Sequence, residues 1–150
     1  MKSKNLLIKS LFNRSITLGM KKITNKLNII EIIEYYSYGS FIRKKINDQL
    51  GGKLRAFVSG GAALNPDIGN FFLALGIKIL QGYGQTESSP LISANRPERI
   101  KIETVGPAVK GVEVKLGEDG ELLVKGDCVM KGYWRDEKTT SETIVDGWLH

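Results

Sequence analysis

The segment Gln81-Gly82-Tyr83-Gly84-Gln85-Thr86-Glu87-Ser88-Ser89-Pro90 gathers the side chains best suited to handle a phosphorylated ligand. Gly82 and Gly84 allow close backbone approach and unusual dihedrals. Tyr83 offers a flat face on which a purine can stack. Thr86 can donate to a phosphate oxygen, and Glu87 can hold Mg²⁺, an ion that takes few carboxylates plus substrate phosphates. The same residues also read as a Gly-Tyr turn with exposed polar side chains, so the loop permits nucleotide binding without proving it. Two common phosphate motifs do not apply. The P-loop ending in Gly-Lys-Ser/Thr is absent. Gly82-x-Gly84 opens a dinucleotide fingerprint, but position 87 is Glu where that fingerprint needs Gly.

The elements that position this loop follow from periodicity and punctuation. Ile8, Phe12, Ile16, Met20, Ile23 and Leu27 recur three or four apart, which predicts one apolar stripe along a helix, with Lys9, Arg14, Lys21 and Lys22 mostly off it. Asn28 to Tyr36 forms a second apolar segment, and Ser40 to Leu50 a helix stopped by Gly51-Gly52. Leu54 to Ser59 then reads as a strand. Asn65 serves as N-cap with Pro66 in the first turn, and a helix runs to about Leu75 before Gly76. Ile77 to Leu80 is a short buried strand, so the unit is strand, helix, strand: one right-handed crossover of a mostly parallel α/β sheet. The loop leaves the C-terminal end of that second strand, where ligands bind in open α/β sheets. Further on, Val112–Leu116 and Glu121–Lys125 flank Glu118-Asp119-Gly120 as a hairpin. Thr139 to Ile144 is a short helix, and Asp146-Gly147 a turn entering a last strand. The division is a helical lead-in (1–52), an α/β unit with the nucleotide loop (53–95) and a β-rich part (96–150).

Composition bounds the chemistry. The 150 residues are 41% hydrophobic and 25% charged, close to a globular average. Cys128 is the only cysteine, which excludes an internal disulfide and a cysteine-rich zinc site; it reads as a small buried apolar residue. His150 is the only histidine and leaves no imidazole inside the chain for a Ser-His-Asp or Cys-His mechanism. No apolar run approaches ~20 residues. Met1–Ser10 lacks the layout of a secretory leader, so a cytoplasmic location is expected. Charge is uneven: residues 1–55 hold 12 Lys+Arg against 3 Asp+Glu, and residues 56–150 hold 10 against 13. The basic part reads as the solvated face of lysine-rich helices; peripheral membrane contact through the amphipathic first helix is the alternative. Nucleic acid is not an expected partner.

The segment 81–90 resembles the core motif of the adenylate-forming superfamily, and of its long-chain fatty acyl-CoA synthetases in particular. Ser59-Gly60-Gly61-Ala62-Ala63-Leu64 is similar to the family's preceding strand and adenine-side turn. Thr104-Val105-Gly106-Pro107, Gly120-Glu121-Leu122 to Lys131-Gly132-Tyr133-Trp134, and Asp146-Gly147-Trp148-Leu149-His150 resemble its following signatures. The lead-in ending Gly51-Gly52-Lys53-Leu54-Arg55 is similar to that of long-chain members. The resemblance implies a partial N-terminal domain of an ATP-dependent fatty acid–CoA ligase. By that resemblance Thr86 contacts the α-phosphate, Glu87 ligates Mg²⁺, and Tyr83 stacks on adenine. Gly60, Gly61, Ala62 and Gln81 line the adenine and acyl side, with Gly82 and Gly84 completing the ATP/AMP site. CoA is the implied co-substrate.

Parts of the family pattern are missing. Nothing here matches its Ser/Thr/Gly-rich phosphate loop with a lysine, nor the Thr-Gly-Asp that should follow the Asp146 motif, nor the small C-terminal domain. The expectation is a fragment of about a quarter of a typical member, starting at Met1 through a split or decayed gene. Such a fragment would be inactive alone and poorly soluble, and the remainder of the enzyme could be separately encoded. A synthetase for another carboxylic acid and a non-catalytic remnant stay open. The ligase reading requires Tyr83, Thr86 and Glu87 to serve one cleft.

Overall fold

The structure is a computed structural model that describes residues 2–150, with side chains described from residue 6. The reading of Met1 as a reading-frame start lies outside the described residues, as does part of the leader argument on Met1–Ser10. The chain divides into two compact units: residues 1–58 with 64–79, and residues 59–63 with 80–150.

In the first unit three helices, α1 (Lys2–Ile23), α2 (Ile29–Tyr36) and α3 (Tyr38–Gln49), precede β1 (Phe57–Ser59) and α4 (Pro66–Ala74). The expected stripe on α1 is displaced. Ile8, Met20 and Ile23 are exposed, whereas Ser15, Leu18 and Gly19 are buried. Small residues decide this. A Cβ on Gly19 would run into the backbone of Ala74, so α1 meets α4 at backbone contact and larger neighbours turn aside. Leu27 lies beyond the end of the helix. The cations off the stripe are in part paired: Arg14 Nη2 lies 2.7 Å from Glu34 Oε2, and Lys21 pairs with Glu31. Asn28 and Glu31 form a capping box that starts α2. Asn65 caps α4 by accepting from the Asp67 amide at 2.8 Å, with Pro66 in the first turn as expected. Gly76 takes a φ of +79° just past the helix end.

The strand after α4 departs from expectation in a way that matters. β2 spans Ile79–Tyr83, starting two residues later than expected and running through Gly82 and Tyr83. Its unforeseen partner is β3 (Ser93–Ala94), antiparallel, with Gly82 opposite Ala94 and Tyr83 opposite Ser93. The sheet order is β1-β2-β3. A pair two residues long has no readable alternation, which is why periodicity missed β3.

The second unit carries an antiparallel sheet ordered β4-β5-β7-β6, from β4 (Val112–Leu116), β5 (Leu122–Gly126), β6 (Ile144–Val145) and β7 (Trp148–Leu149). The expected hairpin forms between β4 and β5, with Leu116 opposite Leu122 and the returning strand beginning one residue later than expected. Asp146 and Gly147 have φ values of 51° and 77°, the doubly positive backbone of a two-residue hairpin turn, so the last strand returns against Ile144–Val145. Ile92, Val124 and Leu149 form the core, each worth ~1.5–3 kcal/mol when fully buried. α5 (Glu137–Thr143) packs beside this sheet, and Cys128 is half-buried rather than buried. The α/β class, with its helical lead-in, strand–helix–strand unit and hairpins, matches the expectation.

Candidate functional site

The end of β2 opens into a cleft of about 530 Å³, within the size range of small-ligand sites. Three segments of the second unit wall it. Gln81, Gly82, Tyr83 and Gly84 form one side, Gly61, Ala62 and Ala63 another, and Glu103, Thr104 and Val105 the third. Six of the residues singled out from sequence therefore meet here: Gly61, Ala62, Gln81, Gly82, Tyr83 and Gly84. Gly60 stands beside them, since a Cβ there would sit 3.6 Å from the Gly82 carbonyl oxygen.

Backbone proximity explains the glycines around Tyr83. A Cβ on Gly84 would overlap the Pro90 carbonyl, so the chain can double back after the strand only with glycine here. The Tyr83 carbonyl accepts from the Ile92 amide at 2.8 Å, which anchors the returning chain. Tyr83 thus stands at the end of the central strand of its sheet, tied to the returning chain, and the residue is 38% exposed at the cleft. Gly61, at φ +82° with no heavy atom within 4 Å of the place a Cβ would take, leaves an open backbone wall opposite.

Gln81 is buried, and its amide Nε2 donates to the Ile102 carbonyl at 3.1 Å and the Thr104 carbonyl at 3.3 Å. The side chain therefore holds the third wall in place as well as lining the cleft. Gly106, at φ +78° against the Ala94 backbone, closes the same loop. Of the other lining residues, the sequence gives Glu103 no signal, and it shows Ala63, Thr104 and Val105 only inside the Ser59–Leu64 and Thr104–Pro107 signatures, with no role assigned. Only the Gln81 amide shows where the 102–104 loop goes.

The expectation that Tyr83, Thr86 and Glu87 share one cleft is not met by the lining: Thr86 and Glu87 lie outside it, on a 3-10 turn, Thr86–Ser88, that follows Gly84. Ser88 builds the turn: its fully buried hydroxyl donates to the Gln85 carbonyl at 2.9 Å and accepts from the Gln85 amide at 3.2 Å. Thr86 is exposed, and its hydroxyl has no hydrogen-bond partner among the described residues. Glu87 is half-buried. The Tyr133 hydroxyl donates to its Oε1 at 2.9 Å, and the Met130 amide donates to its carbonyl at 2.7 Å. The hydrogen bond to the Glu87 carboxylate, aided by desolvation, holds the Tyr133 phenol above its usual range. Tyr133 is itself fixed by its amide, which donates to Thr140 Oγ1 at 2.9 Å. In the sequence Tyr133 stands out only as part of a signature; its contact with Glu87, 46 positions away, has no local signal. His150 meets Glu121 at 3.0 Å, remote in kind from any catalytic arrangement.

Among the described residues no group of three or more His, Cys, Asp or Glu could enclose a metal ion. No helix among them is long and apolar enough to cross a membrane.

A family model described as "AMP-binding enzyme" matches residues 10–134. The chain is 41% identical over 112 residues to the long-chain-fatty-acid–CoA ligase FadD15 of Mycobacterium bovis, covering 75% of this chain and 19% of that protein. It is 37% identical over 123 residues to long chain acyl-CoA synthetase 1 of Arabidopsis thaliana, covering 71% and 18%. Among solved structures, the anthranilate CoA ligase AuaEII in complex with anthranoyl-AMP superposes with a TM-score of 0.59 at 27% identity, covering 65% of this chain and 21% of that one. The chain thus spans about a fifth of the length of the curated relatives it matches.

Proposed function

From the premise that this chain belongs to the AMP-binding enzyme family, we propose that it supplies part of the nucleotide site of a fatty acid–CoA ligase. The observation that carries this reading is the convergence of Gly61-Ala62, Gly82-Tyr83-Gly84 and Thr104 on one cleft, followed at once by the free Thr86 hydroxyl. The names of the relatives support a long-chain acid; the anthranilate ligase is a reminder that the fold also serves aryl acids.

The reaction joins two anions. A carboxylate oxygen bonds to the α-phosphorus of ATP while the bond to pyrophosphate breaks; a thiol sulfur then attacks the acyl carbon and AMP leaves with the electron pair. Positioning and charge neutralisation dominate such a step. In this reading the Tyr83 ring stacks on the adenine, and the exposed backbone at Gly61 and Ala62 lets the base approach. Gly84 turns the chain so that Thr86 donates to an α-phosphate oxygen as negative charge shifts there. Gln81 keeps the 102–104 wall fixed during both half-reactions. The residues fit Mg²⁺ as a single-carboxylate site: Tyr133 occupies one Glu87 oxygen, and the other has no donor among the described residues. Bound there, the ion would neutralise phosphate charge.

Substitutions in an enzyme that contains this chain test the roles. Glu87→Gln and Thr86→Val are expected to lower the rate of acyl-adenylate formation by ~10²–10³, about 3–4 kcal/mol, through loss of the metal-holding carboxylate in the first and of one charge-directed donor in the second. Tyr83→Leu should cost less, because stacking acts equally on ground and transition states. Pyrophosphate exchange measures all three. An unchanged rate in Glu87→Gln refutes the metal role, and an unchanged rate in all three refutes the site.

A further inference from the structure

The second unit carries a second cleft, of about 490 Å³, lined by Arg96, Arg99 and Lys101 together with Asn95, Thr104 and Gly106. It is built rather than incidental. Arg96-Pro97-Glu98-Arg99 is a tight turn in which the Arg99 amide donates to the Arg96 carbonyl at 3.0 Å. The two arginines are antiparallel bridge partners, so they stand side by side. Pro97 at the second position presets the dihedral such a turn needs. Beneath it, Asn95 is 4% exposed. Its Oδ1 accepts from the Lys101 amide at 2.9 Å, and its Nδ2 donates to the carbonyls of Lys101, at 3.2 Å, and of Thr104. A buried amide thus ties both ends of the loop and holds Lys101 next to the arginine pair.

Charge makes the cleft unusual in its surroundings. Residues 80–150 carry 9 Lys+Arg against 12 Asp+Glu, an acidic background. Three of those nine cations fall within six positions. Among the described residues none of the three forms an ion pair, although Glu98 and Glu103 lie in the same loop. Like charges held together without a partner repel, and an anion in the cleft would relieve that. Guanidinium forks match the tetrahedral oxygens of phosphate, and three cations suit a ligand of two or more charges better than a lone carboxylate.

We propose that Arg96, Arg99 and Lys101 form a binding site for a phosphate-bearing ligand, separate from the Tyr83 cleft and bordering it at Thr104. The site rests on its own geometry and does not require the ligase reading. Two sources share the chemistry: a free phosphate or diphosphate group, and the head group of an anionic lipid.

The test uses the 150-residue chain at nanomolar concentration, titrated by thermophoresis with inorganic pyrophosphate. Vesicles of phosphatidylcholine with and without phosphatidic acid form a second arm. The comparison is the variant Arg96→Gln/Arg99→Gln/Lys101→Gln against a charge-matched control, Lys110→Gln/Lys115→Gln/Lys125→Gln. All six cations are exposed, and circular dichroism checks that each variant keeps its fold. Pyrophosphate affinity is expected to fall at least roughly tenfold in the first variant only, and to weaken with added salt. Pyrophosphate binding without vesicle binding assigns a free phosphate group. Vesicle binding that needs phosphatidic acid, is lost in the first variant and is competed by pyrophosphate assigns a lipid head group. Absence of pyrophosphate binding in the low millimolar range, or equal loss in the control, overturns the site. Neither result touches pyrophosphate exchange in the Glu87 and Thr86 variants, so the two proposals fail separately.

Discussion

At the residue scale the site is a matter of who holds whom. Glu87 reads from sequence as a free carboxylate, yet one of its oxygens is taken by the Tyr133 hydroxyl at 2.9 Å. A carboxylate tethered at one oxygen keeps the other in a fixed direction, which suits a single-contact metal ligand better than a mobile side chain. Tyr133→Phe removes that tether without changing ring volume. The expected result is a severalfold rise in the Mg²⁺ concentration needed for half-maximal adenylation, with the thermal midpoint nearly unchanged. Manganese titration of the enzyme–ATP complex by electron paramagnetic resonance gives the same comparison without turnover. An unchanged metal requirement shows that Tyr133 only braces the 130–133 loop. Gln81 illustrates the same logic in reverse: a side chain in the cleft whose amide reaches across to the opposite wall.

At the element scale, junctions carry the information that periodicity cannot. The α1–α2 junction turns on Glu31, which is buried, accepts from the Asn28 amide, pairs with Lys21 and lies 3.7 Å from Arg14. Its carboxylate is held below the ordinary glutamate value of 4.5, first by the Lys21 hydrogen bond and then by the Asn28 amide. A lowered folded value means that its stabilisation is complete above about pH 4.5 and is lost as the pH falls through that lowered value. Glu31→Gln is therefore expected to lower the urea midpoint at pH 7 and to lower it less at pH 3, below the ordinary value of 4.5. Far-ultraviolet circular dichroism reads both. A constant difference at the two pH values would show that packing, not charge, accounts for the loss. The β2–β3 pair is the other junction of this kind: it converts an expected loop into a strand end that fixes Tyr83.

At the scale of the whole molecule, apolar surface is abundant. Ile29 is 79% exposed, Ile30 70% and Ile33 65% on α2, and Trp134 is 86% exposed in the second unit. β1 and β4 are sheet-edge strands. Such faces and edges drive association when nothing covers them. The 150 residues also contain no Ser/Thr/Gly-rich phosphate loop with a lysine. The chain by itself is therefore expected to bind a hydrophobic dye, to self-associate at micromolar concentration, and to show no turnover of ATP, fatty acid and CoA. Sedimentation velocity with a coupled AMP assay tests both expectations. A monodisperse monomer that releases AMP above background would contradict them.

Local chemistry was legible in the sequence wherever one residue dictates its own surroundings. Asn65-Pro66 started a helix, Gly76 followed its end, and the 118–120 turn made a hairpin because these signals act over a few bonds. The candidate loop was legible for the same reason, being contiguous from Gln81 to Ser88. Tertiary structure alone decided the rest. Gly19 and Ser15 carry no hydrophobic signal, so the face of α1 that meets α4 could not be read from apolar spacing. The β3 pairing, the reach of Gln81 to Ile102, the Tyr133–Glu87 hydrogen bond and the Asn95 tie beneath the arginine turn join residues 6 to 46 positions apart. Such contacts depend on where the whole backbone goes, and residue type and spacing along the chain do not signal them.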